Sequence, residues 1–162
     1  MNLMTRSKIF KSFEAFSPML SIWKGSNNTV VFTNGCFDLI HHGHVDSLQR
    51  AAAYGTKLVV GLNSDESVHK LKGENRPILG VMERAAVLAA FEAVDAIVIF
   101  EEETPAELIK KILPDVLIKG EEYKVEEIAG HDTVLKNGGR VERLELVEGI
   151  STSELIERIK KL

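Results

Sequence analysis

Apolar residues along the chain gather in short continuous runs separated by stretches of helical spacing. Residues 29–33, 57–62, 96–100 and 115–119 are rich in Val, Ile and Leu, the pattern of strands buried on both faces. Residues 140–144 read as a fifth strand. Between the strands, residues 43–54 place Val45, Leu48, Ala51 and Ala52 on one side of a helix. Residues 83–93 are Ala/Leu-rich and helical, and residues 151–162 form a closing amphipathic helix with Leu155, Ile156 and Ile159 apolar. Thr104-Pro105-Ala106-Glu107 opens another helix, with Thr104 as its N-cap, Pro105 in the first position and an acid in the first turn. At the front of the chain Ile9, Phe10, Phe13 and Phe16 keep roughly helical spacing until Pro18 interrupts it, and residues 25–28 read as a turn. The expectation is an N-terminal helical arm over residues 1–28, serving as structural cover, and one domain over residues 29–162. Strands alternating with helices define an α/β fold, here a Rossmann-like doubly wound, mostly parallel sheet of about five strands. In such sheets ligands bind beyond the carboxyl ends of the strands, where the strand order switches.

Composition narrows the class without changing that picture. The 162 residues are 44% hydrophobic and 27% charged, ordinary for a globular domain and foreign to disordered or collagenous chains. Lys and Arg total 20 against 24 Asp and Glu, a formal net charge of −4. That balance disfavours general nucleic-acid binding, which needs a basic face, but leaves room for a small basic pocket. No apolar run approaches the roughly 18 residues that cross a bilayer. The N-terminus lacks an apolar core and a small-residue cleavage site. The single cysteine, Cys36, excludes an intrachain disulfide and fits a reducing compartment. The expectation is a cytoplasmic protein without nucleic-acid or membrane partners.

The chemistry-bearing residues are densest directly after the first strand, in Thr33-Asn34-Gly35-Cys36-Phe37-Asp38-Leu39-Ile40-His41-His42-Gly43-His44. Asn34-Gly35 allows a tight turn with exposed N–H groups that suit an anion. His41 and His44 are three residues apart, so both face one side of a helix start, where anions are favoured. Gly43 permits close approach of a ligand or of another backbone. Two imidazoles so placed can donate to a phosphate whose charge grows in a transition state. Zinc would need further ligands, and the chain has no paired-Cys motif. A second segment, Gly149-Ile150-Ser151-Thr152-Ser153, opens the last helix and offers hydroxyls and free N–H groups to another phosphate. By itself it would be a simple N-cap with Glu154 in the first turn.

Together these segments resemble the HIGH-type nucleotidyltransferases. His41-His42-Gly43-His44 matches their H-x-G-H signature, Gly35-x-Phe37-Asp38-x-x-His41 is similar to the lead-in of the cytidylyltransferase-like branch, and residues 149–153 resemble the G-I-S-T-T motif, with Ser153 in place of the final Thr. Asn63-Ser64-Asp65, residues 71–77 and Lys119-Gly120-Glu121-Glu122-Tyr123 extend the likeness over residues 29–162 to the adenylyltransferase domain of bacterial ADP-heptose synthesis. That domain acts on D-glycero-D-manno-heptose 1-phosphate and is fused to a sugar kinase in many bacteria; the length here matches the free-standing form. Glycerol-phosphate cytidylyltransferases carry an arginine shortly before the final motif, and residues 144–148 contain none. The K-M-S-K-S-type loop of class I tRNA synthetases is absent.

The resemblance implies a set of roles. His41, His44 and Lys72 are catalytic, with Lys72 on a mobile loop that closes over phosphate. Thr33, Asn34, Gly35, Phe37, Gly43, Lys119, Gly120, Tyr123, Ile150, Ser151, Thr152 and Ser153 bind the nucleotide, Lys119-Gly120 framing adenine partly through backbone groups. Asp38, Asn63, Asp65, Arg76 and Arg84 are candidates for the second substrate, with Asp38 either a structural acceptor or an aid to Mg²⁺, and Asp65 alternatively a helix cap. Cys36 is expected as a packed residue, not a nucleophile. ATP and a sugar 1-phosphate are the expected small-molecule substrates, Mg²⁺ accompanies ATP, and a homo-oligomer, a dimer, is expected. The alternatives are a cytidylyltransferase acting on an alcohol phosphate, another adenylyltransferase of the same fold, and a non-catalytic nucleotide-binding module.

Overall fold

The computed structural model describes residue 5 and residues 7–145, 147 and 149–162. Residues 1–4 and 6 of the expected arm, and Leu146 and Glu148 of the arginine-free stretch, lie outside the described residues. Six strands, β1 (Ile9–Phe10), β2 (Val30–Gly35), β3 (Lys57–Asn63), β4 (Ala96–Phe100), β5 (Val116–Gly120) and β6 (Arg140–Leu144), form one parallel sheet in the order β1-β4-β3-β2-β5-β6. Parallel neighbours require crossovers. These run through helices α1 (Phe13–Gly25), α2 (His42–Ala52), α3 (Asp65–Lys72), α4 (Val81–Ala89), α5 (Ala106–Ile112) and α6 (His131–Lys136), and α7 (Thr152–Lys160) closes the chain.

The apolar runs are buried on both faces of the sheet because successive side chains point to opposite sides. Val31, Val60, Ile97 and Ile118 meet Leu48 of α2 and Leu88 of α4 on one face. Val30, Phe32, Val59, Val98 and Leu117 meet Phe16 of α1, Ile109 of α5 and Val134 of α6 on the other. From β2 the chain steps through β3 to β4 in one direction, then returns to β5 and β6 on the other side. The order therefore reverses between β2 and β5, which fixes the crevice at their carboxyl ends.

The front of the chain corrects the expectation of a purely helical arm and raises the strand count from five to six. Ile9 and Phe10 pair in parallel with Ile97 and Val98. Two residues are too few for any periodicity to announce a strand. Pro18 does not end α1, although it removes the N–H that would bond Glu14; the Ser17 hydroxyl donates to that carbonyl instead, at 3.0 Å. Lys24 ties α1 down by donating to the carbonyls of Ile112 (2.6 Å) and Leu113 (2.9 Å) at the end of α5. The N-cap of α5 is Pro105, not Thr104. Two helices carry too polar a pattern to be read beforehand. One is α6; the other is α3, where Ser64 Oγ accepts from the Ser67 N–H and Gly73, at φ 94°, ends the helix.

Candidate functional site

A cleft of about 640 Å³ lies at the switch point, lined by residues 33–38, by His41, Gly43 and His44, by Lys72 and Arg76, by Lys119 and Gly120, and by residues 150–153. Its floor begins where β2 ends at Gly35. The chain then passes through Phe37 (φ 48°) and Leu39 (φ 46°), left-handed conformations that non-glycine residues adopt only where surrounding bonds enforce them. Asp38 supplies that enforcement. Its side chain is fully buried and accepts from Arg76 Nε at 2.6 Å, Ile78 N at 2.8 Å and Leu79 N at 3.1 Å. Burial alone would raise the Asp38 pKa, but the donors at Ile78, Leu79 and Arg76 outweigh it and hold the carboxyl below its ordinary value.

The turn delivers the two histidines. His41 is the N-cap of α2, and the rings of His41 and His44 stack with centroids 3.9 Å apart. The His41 backbone N–H donates to His44 Nδ1 at 3.3 Å. An Nδ1 that accepts leaves the proton on Nε2. Burial, reinforced by His41, lowers the His44 pKa to about 4. At neutral pH His44 is therefore an uncharged N–H donor. Burial also lowers His41, and its Nδ1 is buried without a partner among the described residues. A Cβ on residue 43 would sit 3.1 Å from the His41 ring, so Gly43 makes room for that imidazole.

The last motif meets the first. Ser151 caps α7, its hydroxyl accepting from the Glu154 N–H at 3.2 Å, and Thr152 Oγ1 donates to the Asp38 carbonyl at 2.7 Å. The N-terminal ends of α2 and α7 thus both open on one cleft, and free N–H groups with a positive dipole end favour an anion there. Asn34 and Lys119 form the wall at the ends of β2 and β5. Asn34 Oδ1 is buried without a hydrogen-bond partner among the described residues. Lys119 is half-buried, with its ammonium 5.6 Å from the centroid of the Tyr123 ring.

Some expected residues stand elsewhere. Arg84 and Asp65 are not in the cleft lining. Arg84 is completely buried outside the lining, and each of its three nitrogens donates to the protein, to the carbonyls of Leu79 (3.0 Å) and Cys36 (2.6 Å) and to Asp65 (2.8 Å). It braces the back of the turn. The cap of α3 is Ser64, not Asp65. Lys72 lines the cleft from the last turn of α3, not from a loop, and the loop after it is pinned where Asp38 holds Arg76, Ile78 and Leu79. Asn63 reaches the wall but spends its amide on Ser67 Oγ at 2.9 Å. Burial raises the Cys36 thiol pKa, so it stays protonated at neutral pH. Ser47 lines the cleft as well; its place three residues beyond His44, on the same helix face, was the available signal.

Among the described residues no three His, Cys, Asp or Glu side chains cluster to hold a metal ion, and both Asp38 oxygens are already engaged. The donor set does not fit a resident metal. No helix of the described residues is long and apolar enough to cross a membrane.

A doubly wound parallel sheet with two helix starts and paired imidazoles converging on its switch point defines an α/β protein with a phosphate-type cleft. The chain belongs to the Cytidylyltransferase-like family, whose model matches residues 32–158. It is 50% identical over 146 residues to "Bifunctional protein HldE" of Syntrophotalea carbinolica, covering 90% of this chain and 30% of that protein. It is 54% identical over 131 residues to the protein of the same name from Alkalilimnicola ehrlichii, covering 81% and 28%. The chain thus spans under a third of the length of these relatives. Among solved structures it resembles the lipopolysaccharide core biosynthesis protein of Thermoplasma volcanium, with TM-score 0.62, 24% identity, and coverage of 76% of this chain and all of that one. It also resembles pantothenate synthetase of Thermus thermophilus, with TM-score 0.62, 15% identity, and coverage of 95% and 70%. At these identities the likeness is one of fold.

Proposed function

We propose that the chain transfers AMP from ATP to D-glycero-D-manno-heptose 1-phosphate, giving ADP-heptose and pyrophosphate. An oxygen of the acceptor phosphate attacks the α-phosphorus in line, the bond from that phosphorus to the bridging oxygen breaks, and pyrophosphate leaves. The ionised acceptor phosphate needs no general base and no covalent enzyme intermediate. Positioning and charge stabilisation carry the rate. His44 Nε2–H and the His41 ring donate to phosphate oxygens as negative charge shifts toward the leaving group. The start of α7, with Ser151, Thr152 and Ser153, holds the β- and γ-phosphates. Lys72 holds charge at the reacting phosphates, and Thr33, Asn34, Gly35, Phe37, Gly43, Gly120, Tyr123 and Ile150 shape the nucleotide's bed. Mg²⁺ enters as the counter-ion of the triphosphate, part of the substrate.

One observation carries this reading: the Thr152–Asp38 bond, which joins two phosphate-type segments 114 residues apart in one cleft. The relatives' name and the resemblance of Lys119-Gly120-Glu121-Glu122-Tyr123 to the heptose branch favour the acceptor and the base. The test is pyrophosphate release with ATP and a panel of sugar 1-phosphates. Release with heptose 1-phosphate well above that with hexose 1-phosphates is expected. No release with any sugar 1-phosphate refutes the proposal.

A further inference from the structure

Among the described residues three Lys or Arg side chains line the cleft, namely Lys72, Arg76 and Lys119. Arg76 is committed to Asp38 at 2.6 Å. Neither lysine forms an ion pair among the described residues. Lys119 lies near the end of β5, at the crevice where the strand order reverses, and its ammonium lies over the face of Tyr123. Lys72 approaches from the end of α3. Cys36 lines the same cleft. Burial lowers the Lys119 pKa, Glu122 opposes this, and Lys72 pushes it down further. A half-buried cation with no ion-pair partner in contact is costly, and a second cation in the same cleft adds to the cost. Adenine is neutral and would give neither ammonium an ion-pair partner. The phosphate of a sugar 1-phosphate carries about two negative charges and satisfies both.

We infer that Lys119 determines acceptor specificity: its ammonium, with Lys72 in the same cleft, holds the phosphate of the sugar 1-phosphate, and it does not frame the nucleotide base. The inference rests on the transferase reading above. Because the acceptor phosphate must reach the α-phosphorus in line, the pair of lysines marks the side of that phosphorus opposite the pyrophosphate, which lies toward the histidines and α7.

The experiment is calorimetric titration of the parent, Lys119→Met and Lys119→Gln, each with ATP–Mg²⁺ and with heptose 1-phosphate. Both variants should bind heptose 1-phosphate about 10- to 100-fold more weakly, the scale of one charge-assisted hydrogen bond. Their Kd for ATP should stay within about twofold, and their Tm should not fall, since an unpaired cation has been removed. Loss of ATP affinity with heptose 1-phosphate binding intact, or no change in either, overturns the inference. If the parent transfers AMP to no sugar 1-phosphate, the transferase reading falls on its own. Inorganic phosphate then replaces the sugar phosphate in the titration, and undiminished phosphate binding by both variants overturns the assignment of Lys119.

Discussion

His44 does two jobs, and two near-isosteric replacements separate them. Its Nδ1 accepts the His41 backbone N–H at 3.3 Å, which shapes the start of α2; its Nε2–H is the donor offered to phosphate. His44→Asn places an amide oxygen near the Nδ1 position and nothing at Nε2. His44→Gln places an amide nitrogen near Nε2 and loses the Nδ1 acceptor, and His44→Ala loses both. Removing one preorganised transition-state donor costs about 10²–10³ in kcat, or about 2.7–4 kcal/mol. Losing the acceptor for one N–H costs about 0.5–1.5 kcal/mol, which for a chain of this size lowers Tm by about 1–6 °C. His44→Asn should therefore keep the parental Tm and lose at least about 100-fold in kcat, read as pyrophosphate release at saturating ATP. His44→Gln should show the reverse bias, a lower Tm with kcat above that of His44→Asn. If His44→Asn retains kcat within fivefold, His44 is not the donor.

Asp38→Ala strips the acceptor from two backbone N–H groups and frees Arg76. Breaking a buried pair of this kind costs about 3–5 kcal/mol, and urea unfolding should show that loss; a change below about 1 kcal/mol contradicts the bracing role. The Asp38 carboxyl is held below its ordinary value, so its contribution is present above about pH 4 and vanishes as pH falls further. The histidines act in a different window. Both have lowered pKa values, so the unfolded chain binds more protons than the folded one below about pH 6.5, and stability declines from there toward about pH 4. His44→Asn should flatten much of that decline, and an unchanged slope between pH 6.5 and 4.5 would show that His44 is not buried neutral.

The sequence made the central sheet legible because its strands are apolar on both faces; a buried parallel strand needs no alternation to be recognised. The H-x-G-H segment was legible for a different reason, the concentration of special residues directly behind a strand. What stayed hidden depended on partners distant in sequence. Ile9–Phe10 is a strand only because β4 offers it an edge. Arg84 looked like a phosphate ligand because its type suggests one, whereas it is buried and the Leu79 and Cys36 carbonyls and Asp65 engage all three of its nitrogens. Lys72 was read onto a loop because Gly73, Asn75 and Pro77 follow it, yet it ends the helix that Ser64 caps. The meeting of Thr152 with Asp38 could be suspected from two phosphate-type motifs but not located without coordinates.

Adenylyl transfer to a sugar 1-phosphate in this cleft is tested most directly by a competition between nucleotides. ATP and CTP are supplied at equal concentration with Mg²⁺ and heptose 1-phosphate, and the nucleotide sugars formed are counted by mass. A site built to the polar edge of adenine leaves one or two groups unpaired when cytosine enters, at about 1–3 kcal/mol each, so ADP-heptose should exceed CDP-heptose by at least about tenfold. Equal amounts, or an excess of CDP-heptose, would contradict the adenylyltransferase assignment.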